Sequence, residues 1–179
     1  MLRRTIRRSV AVLLGATVAL GAATVPAQAA TVYPTSLTLN AKPEPVAVGG
    51  TVTLGGTLKY KKAGRWVAPS AGKSIVVWFD PSGDAKPIKI KTLKTNTKGA
   101  YSYKHSQSRS GTWIVKYAGK YNLKADRATD YVRTYVKGPW NYPGKDLDCS
   151  DVRKKVWVGS NDYHRLDADG DGWGCDSWG

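Results

Sequence analysis

Eleven residues near the end of this sequence, Leu166-Asp167-Ala168-Asp169-Gly170-Asp171-Gly172-Trp173-Gly174-Cys175-Asp176, combine residue types and spacing that could do chemistry. Three carboxylates at alternate positions, followed by a glycine, suit a tight loop that converges hard oxygen ligands on Ca²⁺. A backbone coiled about an ion turns Asp167, Asp169 and Asp171 inward together, and Gly172 permits the sharp turn. The carbonyl of Trp173 then falls where a backbone ligand is wanted. An ordinary surface turn also favours Asp and Gly, but it has no use for three mutually repelling acids on one side.

An EF-hand places its bidentate Glu at the twelfth loop position. Counted from Asp167 that position is Trp178, which cannot coordinate, and Asp176 at the tenth is the only acid downstream to close the shell. With Cys175 immediately before Asp176, the segment resembles the excalibur family, the extracellular calcium-binding region of bacterial surface proteins. That family's pattern is Asp-x-Asp-x-Asp-Gly-x-x-Cys-Glu, matched here by Asp167, Asp169, Asp171, Gly172, Cys175 and Asp176. Asp stands in place of the closing Glu, and its shorter reach implies weaker binding. The family's upstream cysteine, at the start of a short helix, is matched by Cys149 in Asp146-Leu147-Asp148-Cys149-Ser150-Asp151. The resemblance covers residues 140–179 and implies extracellular or envelope work in which calcium stabilises or switches a surface contact. A lone, exposed carboxylate site suggests a dissociation constant on the order of 10⁻⁴ to 10⁻³ M.

The elements expected to position this loop are few. Ser150 reads as a helix N-cap, with Asp151 in the first turn and Lys154 and Lys155 later, as the helix dipole prefers. Val152, Val156 and Trp157 would share one helical face over the cysteines, Gly159 would end the helix, and Leu166 would tuck under the acids. Cys149 and Cys175 are the only cysteines. In an oxidising compartment an even pair flanking one compact segment implies a disulfide, in preference to free thiols or soft-metal ligation. Such a bridge contributes about 3 to 4 kcal/mol by loop-closure entropy. A unit this small buries little core, and a disulfide plus a metal is how such units hold together.

The compartment follows from the other end. Arg3, Arg4, Arg7 and Arg8, the apolar run Val10 to Leu20 and Ala27-Gln28-Ala29 read as a secretory signal peptide over residues 1–29. Arg7-Arg8 also permits a twin-arginine route, although scattered arginines suit the general secretory one. The apolar run is too short for a good membrane span, and no later segment is apolar enough to cross a bilayer.

The chain carries a formal net charge of +15, unevenly spread. Residues 30–137 hold 19 Lys/Arg against five acids, whereas 138–179 hold five basic residues against eight acids. The break coincides with Lys137-Gly138-Pro139-Trp140-Asn141-Tyr142-Pro143-Gly144, whose Pro and Gly content reads as a linker over 138–148. Two modules follow: 30–137, and an excalibur-like calcium-binding unit at 149–179.

In the first module the apolar pattern has period two, with turn residues every ten or so positions. Val52, Leu54, Leu58 and Tyr60 alternate with polar or Gly positions; Ile88 and Ile90 alternate with Lys89 and Lys91. Ile75 to Phe79 is a continuous apolar run suited to a strand buried on both faces, with Trp78 as the candidate core tryptophan. About seven short strands and no useful helical periodicity predict an antiparallel β-sandwich. Gly49-Gly50-Thr51-Val52-Thr53-Leu54-Gly55-Gly56, Asn96-Thr97-Lys98-Gly99-Ala100-Tyr101, Gly111-Thr112-Trp113 and Tyr117-Ala118-Gly119 give it a resemblance to bacterial immunoglobulin-like (Ig-like) domains, which names a fold and not a function. The whole chain thus reads as mainly β, an Ig-like sandwich followed by a small disulfide- and calcium-stabilised unit with one short helix.

Lys59, Lys61, Lys62 and Arg65 fall in one hairpin region, and Lys86, Lys89, Lys91, Lys94 and Lys98 lie along one hairpin arm, near Trp66 and Tyr60. That pattern suits an anionic cell-wall polymer or another polyanion, or else a solvated sheet face whose lysines block edge pairing. A catalytic centre is harder to assemble. His105 and His164 are the only histidines, neither has a recognisable nucleophile beside it, and Glu44 is the sole glutamate. The expectation is therefore a non-catalytic, secreted or cell-surface, calcium-binding protein. One alternative is a basic cell-wall-binding module with purely structural calcium. The other is a secreted metal-dependent hydrolase, because excalibur segments also occur attached to secreted nucleases.

Overall fold

The computed structural model describes residues 31–179, and the expected signal peptide lies outside the described residues. Period-two patterning produces eleven strands before the tail: β1 (Thr35–Leu37), β2 (Asn40–Lys42), β3 (Val46–Ala47), β4 (Thr51–Lys62), β5 (Arg65–Val67), β6 (Ser74–Pro81), β7 (Ile88–Lys94), β8 (Ala100–Ser106), β9 (Gly111–Tyr117), β10 (Asp126–Val132) and β11 (Thr134–Tyr135). One sheet is organised on β4. β8 pairs with Thr51–Thr57, β2 with Thr53–Gly55, β1 with Leu58–Tyr60 and β5 with Tyr60–Lys62, all antiparallel. The second sheet has the antiparallel order β10-β9-β6-β7. A short parallel pair, β3 with β11, ties the two ends of the module. The result is the Ig-like antiparallel sandwich expected, with more and shorter strands.

The core follows strand parity. In β6, Ile75, Val77 and Phe79 are buried, while Val76 and Trp78 are half-buried on the opposite face. The expectation of a strand buried on both faces is corrected, and with it the role of Trp78. Alternation sends its ring outward, where the Lys116 ammonium lies 5.1 Å from the ring centroid. The core tryptophan is Trp113 of β9, fully buried among Leu54, Leu58, Val77 and Val115. Its indole N–H donates to Gln107 Oε1 (3.1 Å), and Gln107 Nε2 donates to the Arg109 carbonyl (2.7 Å). The buried polar groups of this pair are thereby satisfied.

Two aspartates four residues apart on β10 close the sandwich. Asp126 Oδ2 accepts from Leu37 N–H of β1 (2.7 Å), and Asp130 Oδ2 accepts from Ala41 N–H of β2 (2.6 Å). Each joins an outer strand of one sheet to the other sheet's edge by a charge-assisted bond. Asp130→Ala leaves the Ala41 amide unpaired in a part-buried setting. It is expected to destabilise the sandwich by about 1 to 3 kcal/mol, read as a lowered thermal midpoint, with Asp130→Asn retaining most of the lost stability.

The chain continues into the tail through a single-turn 3-10 helix, Pro139–Asn141. Residues 138–148, expected as a linker, contribute Trp140 and Leu147 to a second hydrophobic cluster with Val156, Val158, Leu166 and Cys175. Residues 31–179 form one compact unit. Sandwich and tail meet where the Arg133 guanidinium lies 4.9 Å from the Trp173 ring centroid and Tyr135 packs against Trp157. No helix among the described residues is long and apolar enough to cross a membrane.

Candidate metal centre

The tail is positioned by a short helix, a two-residue hairpin pairing and one covalent bridge. Helix α1 spans Cys149–Val152. Its N-cap is Asp148, two residues earlier than the expected Ser150. The Asp148 carboxylate accepts from the amides of Ser150 (3.0 Å) and Asp151 (3.2 Å), and Asp151 Oδ2 accepts from the Asp148 amide (3.1 Å). This reciprocal box uses a carboxylate that reaches the second and third amides of the turn. The helix is also shorter than expected. Arg153 adopts a left-handed conformation (φ 52°) and ends it, so Val156 and Trp157 leave as strand β12 and not as a helical face. β12 (Val156–Trp157) pairs antiparallel with β13 (Trp173–Gly174).

β13 is where the acidic loop returns. The loop is shut at its base by the Cys175 amide donating to the Leu166 carbonyl (3.0 Å), with Leu166 buried beneath it. Cys175 is bonded to Cys149, the disulfide expected from the cysteine pair. Within the loop, Asp167 accepts from Gly170 N–H (Oδ1, 2.8 Å) and from Gly172 N–H (Oδ2, 2.7 Å). Asp169 accepts from the Asp171 amide (3.3 Å) and Asp171 from the Trp173 amide (2.7 Å). Gly172 has the role expected of it, with φ at 89°, and a Cβ there would lie 2.5 Å from the Trp157 ring. Only glycine satisfies both demands.

Asp167, Asp169 and Asp171 converge, each offering a carboxylate oxygen within 4.8 Å of the others. Two oxygens at opposite sides of one Ca²⁺ stand roughly 4.6 to 5.2 Å apart, twice the usual bond length. The spacing is compatible with a single divalent cation, and an all-carboxylate donor set suits a hard one. Trp173, the expected carbonyl donor, lies on β13 opposite Trp157. Because the Val158 amide donates to the Gly172 carbonyl (3.0 Å), the neighbouring pair Trp157/Trp173 is of the non-hydrogen-bonded kind. Its backbone groups turn away from β12, toward the side where the Trp173 amide meets Asp171.

Asp176 does not join the three. It begins the terminal 3-10 turn Asp176–Trp178, and its Oδ1 lies 2.6 Å from Lys155 Nζ. That bond holds the Lys155 ammonium above its usual pKa. Two supporting residues had no signal in the sequence. Lys155 lies 21 positions before the acid it pairs with, and Asp162, outside the alternating pattern, accepts the Asp167 amide at 2.9 Å. Both depend on the tail's closure, which no local spacing reveals.

The two histidines are structural. His164 is buried. Its Nδ1 accepts from the Leu147 amide (3.2 Å) and its Nε2 faces the Tyr142 carbonyl (3.0 Å), which assigns the neutral tautomer with the proton on Nε2. It thus fastens residues 142–147 to the tail. His105 lies within β8, its ring edge-on to Trp113 at 5.0 Å, and burial pushes its pKa down.

The acids of the tail give it a defined acid limit. The Ser150 hydroxyl and the helix amides hold the Asp148 carboxyl below its usual range. Burial pushes Asp167 up, but the amides of Gly172 and Gly170 outweigh it, and the net shift is downward. Groups depressed in the folded state contribute stability above their unfolded pKa, about 3.9, and that stability is lost as pH falls through the folded values. Tryptophan fluorescence of the tail is accordingly expected to change as pH falls below about 4. Fluorescence with no change between about pH 4 and pH 2 would contradict this assignment.

No family model matches the chain, and no curated protein matches it. Among solved structures it is similar to a superoxide reductase (neelaredoxin) from Ignicoccus hospitalis, at 11% identity and TM-score 0.41 over 54% of this chain and 79% of that one. It is also similar to a CARDB domain from Pyrococcus furiosus in complex with di-metal ions, at 12% identity and TM-score 0.35 over 62% of this chain and 100% of that one. A β-glucosidase from Listeria innocua in complex with gluconolactone follows, at 13% identity and TM-score 0.31 over 59% of this chain and 17% of that one.

Proposed function

We propose that this chain is a secreted or cell-surface, non-catalytic calcium-binding protein of the excalibur type that works in the bacterial envelope or outside the cell. Asp167, Asp169 and Asp171 supply carboxylates to Ca²⁺ and Trp173 a carbonyl, while Asp176 enters the shell only by leaving Lys155. The observation that carries the reading is the convergence of the three carboxylates in a loop already braced by its own amides. Calcium neutralises their mutual repulsion and so couples ion binding to order in the tail. Through Trp173, which lies under Arg133, an ordered loop also fixes the junction with the sandwich.

The test is isothermal titration of the oxidised protein, stripped of metal, with Ca²⁺ and separately with Mg²⁺. Saturable heat with Ca²⁺ at a dissociation constant on the order of 10⁻⁴ to 10⁻³ M is expected, and much weaker binding of Mg²⁺, which gives up its own water reluctantly. Absence of heat with Ca²⁺, or equal affinity for the two ions, defeats the proposal.

A further inference from the structure

Two clefts share lining residues, one at the end of the sandwich and one on the outer face of the second sheet. One, of about 570 Å³, runs between the segment before β6 and the loop after β9. The other, of about 580 Å³, lies over Trp78 between β7 and β10. Tyr117 and Ala118 line both, so the two clefts adjoin at the end of β9 and together make up a groove. Its cations are Lys73, Lys89, Lys94, Lys116, Lys120 and Arg127. Its single acid, Asp126, is already committed, with Oδ2 to the Leu37 amide (2.7 Å) and Oδ1 to the Arg127 amide (2.8 Å). The groove thus carries six cations against one carboxylate. Edge protection does not require this, since an edge needs cations on the edge strand and the groove crosses the inner strands as well.

How the cations are held says what they meet. Lys116 Nζ stands 5.1 Å from the Trp78 ring centroid, and Lys73 and Lys120 stand 4.6 and 5.0 Å from that of Tyr121. The aromatic rings are capped by ammonium groups and serve as seats for them. A nucleobase would have to displace those ammoniums to stack, whereas an anionic group meets them where they are. Five lysines to one arginine present the cations as point charges on flexible stems, which suits anions repeated along a chain better than a single anion gripped by a fixed fork. We infer that this groove binds a linear, non-aromatic phosphodiester polymer, a polyol phosphate, lying across the sheet. The inference is independent of the calcium reading, since the groove and the acidic loop share no residue.

Fluorescence anisotropy of the whole protein with labelled poly(glycerol phosphate), over a salt series and in the presence of chelator, tests it. Affinity is expected to fall linearly with salt on logarithmic axes, by roughly 0.7 per phosphate engaged. Lys73→Gln/Lys116→Gln/Lys120→Gln should weaken binding at least about tenfold and flatten the slope by about two. The charge-matched control Lys86→Gln/Lys98→Gln/Lys104→Gln, at exposed positions outside the groove, should change affinity less than about twofold. All six sites are on the surface of the sandwich, and equal melting temperatures confirm that neither variant is misfolded. Equal losses in the two triple variants would show diffuse attraction to net charge and overturn the groove. Tighter binding of an oligothymidylate of equal charge would overturn the choice of polymer.

Discussion

Asp167→Asn is expected to remove measurable calcium binding. Asp167 has two duties in the loop, and the substitution damages both. Its carboxylate is one of three that converge, and its two oxygens receive the Gly170 and Gly172 amides that set the loop's curvature. An amide can accept at its one remaining oxygen only, so the other loop amide loses its partner and the ion loses a full charge. A loss of about 100-fold, or about 2.7 kcal/mol, moves a site of roughly millimolar affinity beyond the reach of titration. Asp176→Asn should differ sharply. Asp176 is bonded to Lys155 at 2.6 Å and stands apart from the converging acids, so its loss should weaken calcium binding by less than about fivefold. Calorimetry on the two variants separates a shell closed by Asp176 from one completed by the Trp173 carbonyl and water. Comparable losses would return Asp176 to the first rank of ligands.

Severing the Cys149–Cys175 bridge is expected to unfold the tail and leave the sandwich standing. The bridge spans a sequence separation of 26, for which loop-closure entropy gives about 3.5 kcal/mol. The tail core it supports is small: Trp140, Val156, Val158 and Leu166, with Leu147 and Val152 partly buried beside them. Calcium at about a hundred times its dissociation constant contributes about 2.7 kcal/mol, less than the bridge, so saturating calcium should restore the tail only in part. Cys149→Ser/Cys175→Ser should therefore become susceptible to proteolysis within 138–179, with a digestion-resistant fragment ending near the Val132–Tyr135 region. The sandwich, whose core contains no cysteine, should keep its melting transition. Loss of both units together would show that the Arg133–Trp173 and Tyr135–Trp157 contacts make them a single cooperative structure.

Much of this was legible in the residues. Alternation at Val52–Leu54 and at Ile88–Ile90 marked strands because a pleated backbone sends successive side chains to opposite faces. The same rule, applied without knowing which face was inside, misplaced Trp78: a continuous apolar run has no visible parity. Only β6's register against β9 shows that Ile75, Val77 and Phe79 take the core and leave Trp78 outside with Lys116. In the tail the helix was expected to reach Gly159, because capping signals tell where a helix starts better than where it stops. Arg153 in the left-handed region stopped it after one turn, which no propensity of Arg foretells.

The sequence alone determined the acidic loop. Three alternate carboxylates, Gly172 at the turn and a cysteine pair are local facts, and local backbone geometry suffices to bring Asp167, Asp169 and Asp171 together. What only the tertiary structure decided is everything set by distant partners. Lys155 takes Asp176 away from the loop, His164 is buried as a clasp, Asp126 and Asp130 join the two sheets, and lysines far apart in the chain line one groove. Their distances along the chain carry no pattern, because which side chains meet across a closed fold is settled by the packing of whole sheets, and a charge or a ring acquires its role only from what is packed against it.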